Sequence, residues 1–343
     1  MSDYLRCRDV CRSWRTTIDS KRCLPAYQLP WLLLDSCCSY YLKDGCFVSD
    51  GKLYESRKDR TRYWPGCVGS IEGCLIMSAL HSSSDLFFLN PVTGTQIVLP
   101  SHSAVTKFFK IKAVASSVPS ETSLKPRRCY LSYLVFKQKC SLAFCAPDDE
   151  SWTSIAAEWD DIAVGFRDVE IVDGKLHAVG VSALEFLMVF DIQLDTTGFG
   201  NHTCTAQRLV TLHPNIDSIL DNRVHIQHCY LAKGSESKEL FMILPKHEFY
   251  RTIGFQVLKL EYNVTGHHWV EIVNIGDQVL FIGALNSKFI SLGRSTISHD
   301  NSSKTWEAGV FSLTEKSIKP LIVLKDHLRE GVDRTVWFTP NSL

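Results

Sequence analysis

The chain has 343 residues, of which 45% are hydrophobic, 11% aromatic and 22% charged; these proportions exclude a disordered, collagen-like or membrane-embedded protein. A chain of this length buries about 75% of its unfolded surface, so its core needs no metal or disulfide staple. Its 37 basic and 37 acidic side chains cancel, which removes the overall field that would gather nucleic acid or anionic lipid.

The opening MSDYLRCRDVCRSWR lacks the apolar centre of a signal peptide, and nowhere do about 18 uncharged apolar residues run together as a membrane helix requires. The expectation is a cytoplasmic or nuclear protein with neither a membrane nor a nucleic acid as partner. The 13 cysteines are odd in number and dispersed. Cys74, Cys140 and Cys145 fall inside apolar runs, so they read as reduced core thiols rather than a disulfide framework. The sequons at Asn201, Asn263 and Asn301 are then expected to go unused, because glycosylation needs the secretory route.

From Tyr4 to Ile18 the apolar residues Tyr4, Cys7, Cys11, Trp14 and Ile18 recur at spacings of three and four. That period predicts a helix with these residues on one stripe and Arg6, Arg8, Asp9, Arg12 and Arg15 opposite. Ser2 or Asp3 would cap it and Pro25 would end it. From pattern alone this is an ordinary surface helix with four arginines facing water, and its basic face licenses no nucleic-acid claim.

After Pro30 the period becomes two, and strands dominate. Asp85 to Leu89, the turn Asn90-Pro91-Val92-Thr93-Gly94 and Thr95 to Leu99 read as a hairpin, because proline presets one turn dihedral and glycine accepts a positive one. The device recurs at Val257 to Tyr262, Asn263-Val264-Thr265-Gly266 and His267 to Val273. Asp195-Thr196-Thr197-Gly198 is expected to turn a third hairpin and Asp148-Asp149-Glu150 a fourth. The phrase Asp50-Gly51-Lys52-Leu53 returns as Asp173-Gly174-Lys175-Leu176. The two Asp-Gly-Lys-Leu phrases stand 123 residues apart and the two Val-Thr-Gly turns 172 apart, read here as three and four repeats of one propeller blade, each about 40 to 50 residues long. The fold predicted is a mainly β propeller of about six blades behind a short N-terminal helix; a pair of β-sandwiches is the structural alternative. The final Val336-Trp337-Phe338 is expected to pair with residues just after Pro30, joining the chain ends and removing an open sheet edge. Exposed loops are expected at 58–62, 116–125, 234–238 and 291–304.

Catalytic constellations are sparse. Gly69-Ser70 is followed by Gly73 at the wrong spacing for a nucleophile elbow, and neither a phosphate-cradling loop nor a dinucleotide fingerprint occurs. His225, His228 and Cys229 approach a metal spacing without a second ligand cluster. His267 and His268, adjacent on a strand, would face opposite ways. Asp148-Asp149-Glu150 and Asp160-Asp161 offer carboxylates of the kind acid–base catalysis uses, but in turns such groups are usually solvated. No catalytic residue, cofactor or metal is expected, and an enzyme such as a propeller hydrolase is the less favoured class.

Leu5-Arg6-Cys7-Arg8-Asp9-Val10-Cys11-Arg12-Ser13-Trp14-Arg15 resembles the last helix of an F-box as found in plant proteins. Cys67-Val68-Gly69-Ser70 with Gly73, Leu86 to Pro91 with Leu99-Pro100, Asp277 to Gly283 and Val336-Trp337-Phe338-Thr339 resemble, in order, signature blocks of plant F-box proteins with a KIB-type, kelch-like β-propeller. The resemblance implies a partial F-box over residues 1–25, beginning just before its final helix, and a propeller over 27–343. It further implies the substrate-recognition subunit of an SCF-type cullin-RING ubiquitin ligase. Val10, Cys11 and Trp14 would then contact a Skp-type adaptor, or alternatively pack on the propeller, and the propeller would hold an unknown protein substrate. A stand-alone binding module without the adaptor link is the alternative.

Overall fold

Two-residue turns set the local structure. In Ile71-Glu72-Gly73-Cys74 and Val172-Asp173-Gly174-Lys175 both central residues take positive φ, at 41° and 85° in the first turn and 51° and 74° in the second. Such turns match the twist of paired strands and give tight hairpins. The computed structural model describes residues 31–35, 46–49, 52–55, 66–78, 86–91, 94–100, 110–118, 131–136, 141–146, 149–155, 158–159, 162–163, 165–181, 186–194, 202–211, 229–234, 238–248, 251–264, 266–275, 278–283, 285–291, 309–312, 317–320 and 334–338. The expected N-terminal helix, and with it the boundary drawn at residue 25, lies outside them.

The strands are β1 (Trp31–Asp35), β2 (Cys46–Ser49), β3 (Lys52–Glu55), β4 (Gly66–Ile71), β5 (Cys74–Ser78), β6 (Leu86–Leu89), β7 (Gln96–Val98), β8 (Lys110–Ala115), β9 (Leu131–Phe136), β10 (Ser141–Cys145) and β11 (Thr153–Ile155). After the short pair β12 (Glu158–Trp159) and β13 (Ile162–Ala163) come β14 (Gly165–Val172), β15 (Lys175–Val181), β16 (Phe186–Gln193), β17 (Thr203–Thr211), β18 (Tyr230–Lys233), β19 (Leu240–Glu248), β20 (Arg251–Asn263) and β21 (Gly266–Ile272). The last are β22 (Gln278–Phe281), β23 (Lys288–Ser291), β24 (Gly309–Ser312), β25 (Ser317–Pro320) and β26 (Arg334–Phe338).

They form four-stranded antiparallel meanders. Sheet two is β4 to β7, sheet three β8 to β11, sheet four β14 to β17, and sheet five β18 to β21, which β23 and β22 extend. Sheet one has the order β26-β1-β2-β3, so its first strand comes from the far end of the chain. Trp31 pairs with Phe338, Leu32 with Trp337 and Leu33 with Val336, as the sequence led us to expect. The hairpins β22–β23 and β24–β25 follow sheet five, where a sixth unit falls in the chain.

First strands lie side by side: β26 against β4, β4 against β8, β8 against β14, β14 against β18, and β18 against β23. The approach of β4 to β8 requires glycine, since a Cβ on Gly69 would stand 2.1 Å from the Ala113 carbonyl oxygen. Apolar clusters alternate with the sheets. Val68, Ile76 and Phe88 of sheet two meet Ala113 and Ala143 of sheet three; Phe144 of sheet three meets Phe166, Met188 and Phe190 of sheet four; Val179 and Leu187 of sheet four meet Leu231 and Met242 of sheet five. Each of these sheets is thus buried on both faces, which is why Cys74–Ser78 is buried at every position and reads as a continuous apolar run rather than an alternation.

The repeat arithmetic needs correction. Ser49 pairs with Lys52 between the third and fourth strands of sheet one, whereas Val172 pairs with Lys175 between the first and second strands of sheet four. The shared Asp-Gly-Lys phrase marks a tight turn, not an equivalent place in the repeat. The Val-Thr-Gly turns do stand at equivalent places, between third and fourth strands, but three sheets apart rather than four.

Removal of residues 333–343 takes away β26, the strand that pairs with β1 and lies against β4. We expect the melting temperature to fall by more than about 5 °C; an unchanged transition in differential scanning calorimetry would show that β26 does not hold the sheets together.

Candidate functional site

Where first strands meet, charge is concentrated. β14 carries a bulge between Phe166 and Asp168, and bulges re-aim the side chains beside them. Phe166, Val169 and Ile171 enter the cluster shared with sheet three, while Asp168 serves both neighbouring sheets. Its Oδ1 accepts from the Lys112 Nζ of β8 at 2.5 Å and from the Val169 amide at 2.9 Å. Its Oδ2 accepts from the Leu231 amide of β18 at 2.6 Å. One carboxylate therefore joins three sheets.

Lys112 is 2% exposed and Asp168 3%. Burial pushes the Asp168 carboxyl up, and the Lys112 ammonium and the amides of Leu231 and Val169 oppose that shift. Glu170, two residues further along β14 and half-buried, accepts from the Ile171 amide at 2.9 Å. Loss of water raises it from 4.5 to about 7, Asp168 adding to the rise and Lys112 and Lys233 opposing it. His177 on β15, pushed down to about 4 chiefly by burial, stays neutral near pH 7.

Further out, His202 Nε2 stands 2.8 Å and 2.9 Å from the two Asp149 oxygens, tying the start of β17 to the β10–β11 connection. The Trp152 indole donates to the Pro100 carbonyl at 2.7 Å, tying sheet three to sheet two. The acidic turn expected to be solvated is therefore in part a cross-link: Asp149 is half-buried against a histidine, Glu150 is exposed, and Asp148 lies outside the described residues.

Other expected site residues scatter. Val10, Cys11, Trp14, Asp160, Asp161, His225 and His228 lie outside the described residues. Cys229 is 5% exposed and packs with Leu231 and Met242. His267 pairs with Tyr262 and His268 with Glu261 on β21, so the adjacent histidines point apart, and the His267 ring lies 5.1 Å from that of Tyr262. Among the described residues no three His, Cys, Asp or Glu side chains are grouped to hold a metal, and no helix is long and apolar enough to cross a membrane. Sequence reasoning missed Lys112, Asp168 and Glu170. The available signal was a charged residue inside an otherwise apolar strand, in Lys110-Ile111-Lys112-Ala113-Val114 and Phe166-Arg167-Asp168-Val169-Glu170.

The order of these sheets, with first strands side by side and β26 completing sheet one, is that of a propeller, and a family model describing the KIB1-4 beta-propeller matches residues 39–301. The chain belongs to the KIB1-4 β-propeller family. A comparison with curated proteins returns no match. In this KIB1-4 propeller the charges between first strands satisfy one another. Asp168 is a structural clamp, its two oxygens held by three donors from three sheets.

Two outcomes follow for the KIB1-4 propeller. Replacing Asp168 by Asn strands the buried Lys112 ammonium and should cost about 3–5 kcal/mol; Lys112→Met in the same chain should recover much of that loss in urea denaturation, and no recovery would refute the clamp. Glu170 has a folded-state value above its unfolded one, so its contribution is complete below about pH 4.5 and is lost as pH rises toward 7. Glu170→Gln should therefore gain on the parent across that window, by about 1–3 kcal/mol at pH 8. Parallel stability–pH curves for the two proteins would contradict this assignment.

Proposed function

We propose that this protein is a non-catalytic substrate-recognition subunit of an SCF-type cullin-RING ubiquitin ligase, its propeller binding the protein to be ubiquitinated. The observation that carries the reading is the pairing of a KIB1-4 propeller over residues 39–301 with the F-box-like phrase Leu5 to Arg15 ahead of it. A propeller suits such a role because its sheets form a rigid scaffold while the connections between strands are free to vary. Within the phrase, Val10, Cys11 and Trp14 are the residues assigned to a Skp-type adaptor, with Trp14 supplying the large apolar contact. The protein would work in the cytoplasm or nucleus, in a plant cell as the F-box phrase implies, without cofactor, nucleic acid or membrane.

A stand-alone propeller that binds the same client without an adaptor is the second reading. Co-purification with a Skp-type adaptor separates the two. The receptor reading predicts a complex that Trp14→Ala weakens at least about tenfold, about 1.4 kcal/mol, with the melting temperature unchanged. No complex with the parent protein, together with a lowered melting temperature in Trp14→Ala, would instead assign Trp14 to packing on the propeller.

A further inference from the structure

The β22–β23 connection does not return along its own sheet. Ile282 packs with Phe241, Ile243 and Phe289 on the outer face of sheet five. Three residues on, Leu285 is 4% exposed and lies with Cys67, Leu75, Met77 and Leu89 of sheet two. Asn286 Nδ2 donates to the Ser70 Oγ of β4 at 2.7 Å. Lys288 then sits beside Lys233 of β18 in parallel register, and the Phe289 ring lies 4.4 Å from that of Phe241.

Sheet two and sheet five are not neighbours. The first strands run β4, β8, β14, β18 around the structure, so sheets three and four stand between them along the arc. From Asn286 to Lys288 the chain advances at most about 7 Å, and in that distance it passes from β4 to β18. Only a path across the middle is so short.

We propose that residues 285–288 form an axial strap that ties sheet two to sheet five across the axis and so locks the propeller against opening. Three features support a lock rather than a surface loop. Leu285, Asn286 and Ser287 are all buried, at 4%, 9% and 6% exposure, although they belong to no strand. Leu285 occupies the face of sheet two turned away from sheet three, and β26 lies against β4, so the strap reaches sheet two beside the seam that joins the chain ends. Lys288, paired beside β18, senses sheet two as well: burial lowers its pKa, and the Glu72 carboxylate of the β4–β5 turn opposes that shift. The strap thus adds a connection across the axis to the one that β26 makes around the ring.

Hydrogen exchange tests the lock. In Asn286→Ala the amides of Val68 to Ser70 in β4 and of Leu231 and Ala232 in β18 should exchange faster together, by more than about tenfold, while Met188 to Phe190 of sheet four keep their rates. A double-mutant cycle of Ser70→Ala and Asn286→Ala should show a coupling of about fivefold in the opening equilibrium. Leu285→Ala should give the same paired loosening, more strongly; if that chain does not fold, the Asn286→Ala result decides. Faster exchange confined to residues 285–288, or additive effects in the cycle, would overturn the proposal.

Discussion

Sheets two to five of this protein are apolar on both faces, and that constraint organises the rest. A sheet with one wet face can end a stack, but one with two dry faces needs a neighbour on each side. Cys67 and Val68 show this within two residues: one joins the cluster containing Leu285, the other the cluster shared with sheet three. Repeating the arrangement from sheet to sheet leaves no natural end. The chain meets this by donating β26 to sheet one, so that its first and last described strands become partners.

Apolar contact between faces is not directional, and directional polar contacts join the sheets where first strands converge. Asp168 accepts from groups of its own sheet and of both neighbours. Breaking such a buried pair costs more than forming it gains, because a stranded charge has no water to turn to; its physical effect is therefore to exclude other arrangements. His202 with Asp149, and Trp152 with Pro100, do the same further from the axis with weaker means.

Much of this was legible in the sequence. Asn90-Pro91-Val92-Thr93-Gly94 turns where its residues require, with Gly94 at a φ of 76°. The pairing of Trp31 with Phe338 followed from the need to remove an open edge. What escaped was long-range. The period misled because the same two-residue turn chemistry serves different places in a sheet, so Asp50-Gly51 and Asp173-Gly174 look alike without being equivalent. A truer repeat lies in the bulges: β4 and β14 both start at glycine and both shift register after their second residue, at Cys67/Gly69 and Phe166/Asp168. Asp168 and Lys112 stand 56 residues apart, and no local pattern announces that two charged residues inside apolar strands are each other's partner.

β1 and β26 are neighbouring strands of one sheet. Native-state hydrogen exchange of residues 31–35 and 334–338 under rising denaturant measures that pairing directly. Both segments should be protected and should lose protection in a single step with the same dependence on denaturant, as one cooperative unit does. Rapid exchange at 334–338 while 31–35 stays protected would mean that the chain ends are not joined and that the sheets do not form a ring.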